Sequence, residues 1–507
     1  MVSPPQTPKK FMLLYYIMNV KTRIIMYPAW ITTLAVIVGA ISILTNIHAA
    51  LTYPCWFDEA VLSDIAYNFQ REGVWRADIY PVDIGAWIYG PIYFYLQKPL
   101  IELFGFCAAT MRLGNAVATY LVAILVALMV LQFTKRKTVT LLVFILFILD
   151  SSINRAAVVG RMDMVATLFA LSSYYFAYRY SRSSFREIGL ASGFAALGFL
   201  TTPRVGFLLP GAVVLLLIYM ASHLKYQDNQ KILFLHYGLA IVIFVVPIFL
   251  WIHSIGGIEQ YISAFRNSSQ VGRHQGSTLF RKPEDYIFLP LLLGLFLFCC
   301  KRAIREPLLI GIFATFVSFT LFVKEVGPYR PMILPYLYIA GAVMAVMIFD
   351  SGQLRYRRWL VYGAIAVVFL VSAPFFLYRT IDVWLINSAS RNARPLQVSL
   401  LNKIPADKFV AAGYEYYYLL KPQAKRFIEF ESLPKLPSSR SELPDYIVLT
   451  GESNIAVLKT AGKWADLLKT DYKVIGTYIF KVNDLGLHKI FFSRRNYDGT
   501  TVYAKQP

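Results

Sequence analysis

The sequence predicts a polytopic α-helical membrane protein with a soluble α/β region at its C-terminal end. Three observations carry this expectation. Hydrophobic residues make up 57% of the 507-residue chain and charged residues 16%, with mean hydropathy +0.52, which leaves too little polar surface to cover a water-soluble globule. Apolar runs close to the length needed for a hydrocarbon core of ~30 Å recur along the first three quarters. Beyond Tyr378 they stop, and short alternating segments punctuated by proline follow.

The runs fall near residues 27–47, 108–133, 138–153, 163–179, 188–201, 205–222, 232–252, 286–300, 307–323, 329–349 and 359–378, about eleven transmembrane helices. The first is too long for a cleaved leader and lacks a small-residue cleavage site, so it reads as a signal anchor. Lys and Arg concentrate in alternate short connections, such as Lys135, Arg136 and Lys137, or Lys301, Arg302 and Arg305. By the positive-inside rule these connections and the segment 1–26 are cytoplasmic, and the protein is a multi-pass plasma membrane protein. The domains expected are the N-terminal segment 1–26, a transmembrane region 27–378 with a large outer loop 48–107, and an extracytoplasmic α/β region 379–507.

In that last region, Lys408–Ala412, Tyr446–Thr450, Val474–Phe480, Ile490–Ser493 and Thr501–Ala504 read as strands, and Asn454–Thr470 as an amphipathic helix. The net charge of +21 is spread over inner loops and the tail, not gathered into a stripe, so anionic lipid headgroups explain it and nucleic acid is excluded as a partner. Cys55 and Cys107 bracket the outer loop; free thiols are expected, with a disulfide as the alternative in an oxidising compartment.

The outer loop carries the chemistry. It holds Asp58, Glu59, Asp64, Glu72, Asp78, Asp83 and Glu102 against Arg71, Arg76 and Lys98, together with aromatics that suit either a membrane interface or the stacking of sugar rings. Asp58 and Glu59 follow an apolar stretch, where a carboxylate becomes a better base; the other reading is a helix start, where acids oppose the dipole. Arg155, Arg161 and Asp163 lie at the junction of two runs, a costly place for charge. An Arg161–Asp163 ion pair is the plain alternative, weakened if both sit on one helix, since residues i and i+2 do not face each other. Arg204, Arg266, Arg273, Arg281, Lys282, Lys324 and Arg330 are further outward cations able to meet a phosphate or a headgroup. An outward site has no supply of nucleotide-activated donors, so an enzyme there needs a membrane-delivered substrate such as a polyprenyl-phosphate sugar.

The order of FDEA at 57–60, YGPIYFYLQKPLIELFG at 89–105, MRLGNAV at 111–117, GRMDMVATLFALSSYYFAY at 160–178, ASGFAALGFLTTPRVGFLLPGAVVLLL at 191–217 and YRPMILPYLYIAGAV at 329–343 resembles the GT-C glycosyltransferases. The likeness is to the branch of protein O-mannosyltransferases and lipid A aminoarabinose transferases. It implies the GT-C fold and inverting transfer of a sugar from a polyprenyl-phosphate donor to a lipid, glycan or protein acceptor. On the matching positions it implies catalytic roles for Asp58, Glu59 and Asp163, with Asp58 the candidate base and Glu59 second to it, and donor-phosphate contacts from Arg161, Arg204, Tyr329 and Arg330. The chain departs from that branch where a Lys-Pro-Pro motif is replaced by Tyr89-Gly90-Pro91, leaving Lys98 as a substitute, and where Thr-Lys-Pro is replaced by Thr201-Thr202-Pro203-Arg204. The resemblance also leaves open a divalent cation, Mg2+ or Mn2+, shared by Asp58 and Asp163. A transporter of a lipid-linked glycan and a non-catalytic scaffold are the readings from other classes; a transporter predicts internal repeats, which are not evident.

Overall fold

The computed structural model describes residues 29–53, 55–80, 88–180, 185–226, 230–271, 283–323, 326–350, 355–386, 399, 402–430, 433, 443–450, 463–479 and 499–506. The segment 1–26, the strand expected at 490–493, Asp83, Arg273, Arg281, Lys282, Lys324 and the side chain of Arg266 lie outside them.

The helices in chain order are α1 (Ala29–Thr52), α2 (Phe57–Glu72), α3 (Pro91–Phe104), α4 (Ala108–Thr134), α5 (Lys137–Leu149), α6 (Ser151–Ala157), α7 (Asp163–Arg179), α8 (Phe185–Phe199), α9 (Pro210–Tyr226), α10 (Gln230–Ser254), α11 (Ile258–Val271), α12 (Pro283–Ala303), α13 (Pro307–Phe322), α14 (Val326–Asp350) and α15 (Arg355–Ile381). All eleven apolar runs coincide with helices. Among the described residues, five stretches can cross a bilayer unaided by length and composition: α1, α4, α10, Tyr329–Asp350 and Val361–Leu385. The pair α5–α6, bent by 66°, makes a sixth, and the other runs form α7, α8, α9, α12 and α13. Large apolar side chains exposed along α10, among them Phe234, Ile241, Val245 and Phe249, fit lipid contact and not water. The chain is a polytopic membrane protein.

Local chemistry sets the breaks. Proline opens α3 and α13, where its missing N–H costs nothing. Between α5 and α6, Asp150 leaves helical geometry and its side chain accepts from Ser152 N at 2.8 Å, capping the new helix. The run expected as one span at 138–153 is therefore broken by its own cap. The outer loop is not a loop for most of its length: it contains α2 and α3, with Gly73 ending α2 at φ +70°.

The C-terminal sheet holds β1 (Phe409–Ala412), β2 (Arg426–Glu429), β3 (Tyr446–Thr450), β4 (Tyr472–Ile479) and β5 (Gly499–Lys505) in the order β2-β1-β3-β5-β4. β1 pairs in parallel with β2 and β3, while β5 runs antiparallel to β3 and β4. β2 escaped the sequence reading because RFIE is short and lacks alternation. Of the amphipathic helix expected at 454–470, Lys463–Thr470 is described and is helical. Alternation along the strands divides two faces. Val410, Ala412, Phe427, Val448 and Val502 join Ala60, Ile65, Trp75 and Phe94 of the α2–α3 layer, whereas Ala411, Ile428, Ile447 and Leu449 pack with Leu467 and Leu468.

Within the bundle, α9 and α13 approach through glycines. A Cβ added at Gly211 would stand 2.5 Å from the Gly311 carbonyl oxygen and 2.9 Å from Tyr174. Gly211→Ala should therefore push the helices apart at a cost of about 1–3 kcal/mol. A melting curve in detergent matching wild type would contradict this packing.

Candidate functional site

The site is assembled on the first turn of α2. Glu59, three residues into that helix region, accepts from the Trp56 backbone N–H at 3.1 Å and so anchors the turn. Its carboxylate also takes a two-pronged ion pair from Arg112 on α4, Nε to Oε1 at 2.6 Å and Nη2 to Oε2 at 2.9 Å. Arg112 donates further to the carbonyls of Ala50 at 2.8 Å and Tyr53 at 2.9 Å, closing off the end of α1. Both partners are at most 1% exposed. Glu59, for which the resemblance implies a catalytic role, forms a buried ion pair, and its neighbour in the helix points about 100° away from it.

That neighbour is Asp58, half-exposed and ion-paired with Arg161. Arg161 also reaches Asp163, Nε to Oδ2 at 2.6 Å. The pairing judged weak on helical spacing therefore forms, for a plain reason: Arg161 precedes α7, so helix geometry does not govern the two side chains. Asp163 is 5% exposed, and its Oδ1 has no hydrogen-bond partner among the described residues. Burial disfavours the charged form of Arg161, but Asp163 and then Asp58 outweigh it, holding its pKa well above the ordinary value.

The loop bearing Arg161 is clamped by Asn115 of α4, which donates to the carbonyls of Ala156 at 2.6 Å and Val159 at 3.2 Å and accepts from Met164 N at 3.0 Å. Gly160 packs on Glu59, where an added Cβ would lie 2.9 Å from Oε1. Tyr329, at the start of the late span, presents its ring to two cations, with Arg161 5.1 Å and Arg204 4.5 Å from the ring centroid. Arg204 sits on the 3₁₀ turn Pro203–Phe207. Against it lies the Tyr89-Gly90-Pro91 segment, fastened by Ile92 N donating to Leu200 O at 3.1 Å; Gly90 has no room for a Cβ beside the Leu200 backbone. Burial raises the Tyr89 phenol above the ordinary tyrosine range, so a neutral hydroxyl stands beside Arg204.

The structure thus brings Asp58, Asp163, Arg161, Tyr329 and Arg204 together. Arg330 turns elsewhere, to Ser152 and to Asp150 Oδ1 at 3.5 Å, and bolts the α5–α6 break to α14. Lys98 is exposed on α3, its ammonium 5.9 Å from the Phe69 ring centroid. Arg155 stacks over Trp56 at 4.0 Å. Cys55 is buried and Cys107 exposed, and both are free thiols.

A divalent cation fits poorly between Asp58 and Asp163. Arg161 is ion-paired to both carboxylates and supplies the positive charge there. Among the described residues no group of three His, Cys, Asp or Glu side chains could hold a metal.

Arg112 and Asn115 were not singled out from the sequence, although both lie in the quoted MRLGNAV motif. An arginine at the start of an apolar run was the available signal. Tyr417 and Tyr418, described below, left none.

Residues 89–251 match the sequence profile of the family described as dolichyl-phosphate-mannose-protein mannosyltransferase. The crystal structure of ArnT from Cupriavidus metallidurans in the apo state superposes with TM-score 0.52 at 14% identity, covering 93% of this chain and 98% of that one. The same protein bound to undecaprenyl phosphate gives TM-score 0.55 at 15% identity, with the same coverage. No curated protein matches at a significant level. The chain has the GT-C fold. Within that fold it is similar to the protein mannosyltransferase and ArnT branch, as the order of its motifs implies.

Replacing Glu59 by Gln, or Arg112 by Ala, leaves a buried charge without its partner and should cost about 3–5 kcal/mol. Asp58→Asn should melt like wild type. Equal losses of thermal stability from Asp58→Asn and Glu59→Gln would erase the distinction drawn between the two acids.

Proposed function

We propose that this protein transfers a sugar from a polyprenyl-phosphate donor to a hydroxyl of a lipid, glycan or protein acceptor at the extracytoplasmic face of the plasma membrane, with Asp58 as general base. The observation that carries this reading is the group formed by Asp58, Arg161, Asp163, Tyr329 and Arg204. It sets a half-exposed carboxylate beside two cations at the end of the bundle where the sheet packs. The related ArnT structure bound to undecaprenyl phosphate supports a donor of that class, and the acidic first loop supports the orientation.

The chemistry follows from the arrangement. The acceptor oxygen attacks the sugar's anomeric carbon as its proton passes to Asp58; the bond from that carbon to the phosphate oxygen breaks, and the polyprenyl phosphate leaves with the electron pair. Arg161 and Arg204 face the negative charge that grows on the leaving phosphate, and the Tyr329 ring fixes both guanidinium groups. Asp163 holds Arg161 from behind. No step requires a metal, because the guanidinium groups supply the positive charge.

With a panel of polyprenyl-phosphate sugars in nanodiscs, Asp58→Asn should lower turnover by about 10²- to 10⁴-fold, and Arg204→Ala should weaken donor binding. Unchanged turnover in Asp58→Asn would remove it as the base, and failure of the wild type with every donor would remove the function itself. Wild-type turnover should survive EDTA; loss restored by Mg2+ or Mn2+ would restore the metal to the mechanism.

A further inference from the structure

The C-terminal sheet region reaches into the site through one short segment. Tyr418, two residues past the 3₁₀ turn Tyr414–Tyr416, donates its hydroxyl to Glu59 Oε1 at 3.2 Å and is hydrogen-bonded to Ser63 Oγ at 2.7 Å. Beside it Tyr417 donates to Asp64 Oδ1 at 2.7 Å, and Lys421 is ion-paired with the same oxygen at 2.8 Å. Burial and then the Glu59 charge hold the Tyr418 phenol well above the ordinary tyrosine range, so it remains a hydrogen-bond donor at any physiological pH. The three partners Glu59, Ser63 and Asp64 stand within one and a half turns of the helix that begins at Phe57.

Glu59 is where this segment meets the candidate chemistry. One of its oxygens receives Tyr418 and Arg112 Nε, the other receives Trp56 N–H and Arg112 Nη2, and its side chain also supports Gly160 next to Arg161. The Glu59 carboxylate therefore touches both backbone segments whose side chains form the Asp58–Arg161 pair. Arg112 and the Trp56 N–H hold that carboxylate from α4 and from its own turn, and the Tyr418 hydroxyl adds a third hold from a different part of the chain. Tyr418 has no need of this bond for its own packing, since its ring is already held by Phe106 at 5.4 Å and Tyr417 at 5.5 Å between centroids.

We propose that Tyr418 is a positioning residue for the transfer, acting through Glu59 to hold the first turn of α2 so that Asp58 faces Arg161. This rests on the reading of Asp58 as the base. The sheet region is then part of the catalytic apparatus without touching the reacting atoms.

The test is Tyr418→Phe in the full chain in nanodiscs, with Tyr472→Phe as the comparison. Tyr472 donates to the Pro444 carbonyl at 2.7 Å on the other face of the sheet and is not linked to Glu59, so it reports the loss of a buried hydroxyl alone. Tyr418→Phe should lower kcat roughly ten- to hundredfold, as small misplacement of a reacting group does, with donor KM unchanged, and should speed hydrogen exchange at the backbone of residues 56–60. Tyr472→Phe should do neither. The proposal is overturned if Tyr418→Phe keeps wild-type kcat and exchange, or if Tyr472→Phe produces the same loss of kcat. If wild type turns over no donor, the function fails, while the exchange comparison still decides whether Tyr418 holds the turn.

Discussion

The Glu59–Arg112 ion pair is the constraint on which the site depends. Two charges taken out of water are tolerated only when every lone pair and N–H finds a partner, and here the carboxylate and the guanidinium together engage α1, α2, α4 and the segment following β1. A buried pair of this kind adds little net stability compared with apolar residues of the same volume, but it fixes one geometry among several that an apolar contact would permit. The value of the pair is registration: it sets the rotation of α2 and hence the direction in which Asp58 points.

Much of the architecture was legible because it follows from solvent. Runs of Leu, Ile, Val and Phe long enough for a bilayer leave few alternatives to helix, since an unpaired backbone group in hydrocarbon costs several kcal/mol. The same pressure made β1, β3, β4 and β5 readable once the apolar runs gave way to alternation. Subtler features depended on single side chains. Asp150, which divides a run that hydropathy alone joins, acts through two backbone N–H groups, and nothing in an apolarity profile weighs that. RFIE became a strand because its neighbour β1 offered a parallel edge, which is tertiary information.

The site was legible in its members more than in their roles. Asp58, Asp163, Arg161, Arg204 and Tyr329 were all singled out, and all come together. The sequence puts Asp58 ahead of Glu59 as the base, and the partner fifty-three residues along the chain separates the two acids physically. Arg330, one residue from Tyr329, belongs to a different cluster for the same reason: consecutive residues of a helix diverge, and the sequence does not say which neighbour each will meet. Tyr418 lies further from its target still, 359 residues from Glu59, beyond any local pattern.

The two faces of the C-terminal sheet bear on how this chain can be divided. Val410, Ala412, Phe427 and Val448 are covered by side chains from α2 and α3, so the face they form is complete only while the membrane-embedded part is attached. Cut loose, the sheet would present an apolar surface with no lipid of its own to shield it, and α2 would lose the layer beneath which its charged residues are kept dry. The boundary between membrane part and soluble part, clear in hydropathy, is therefore not a boundary of cooperativity. The protein inherits and loses both parts as one unit.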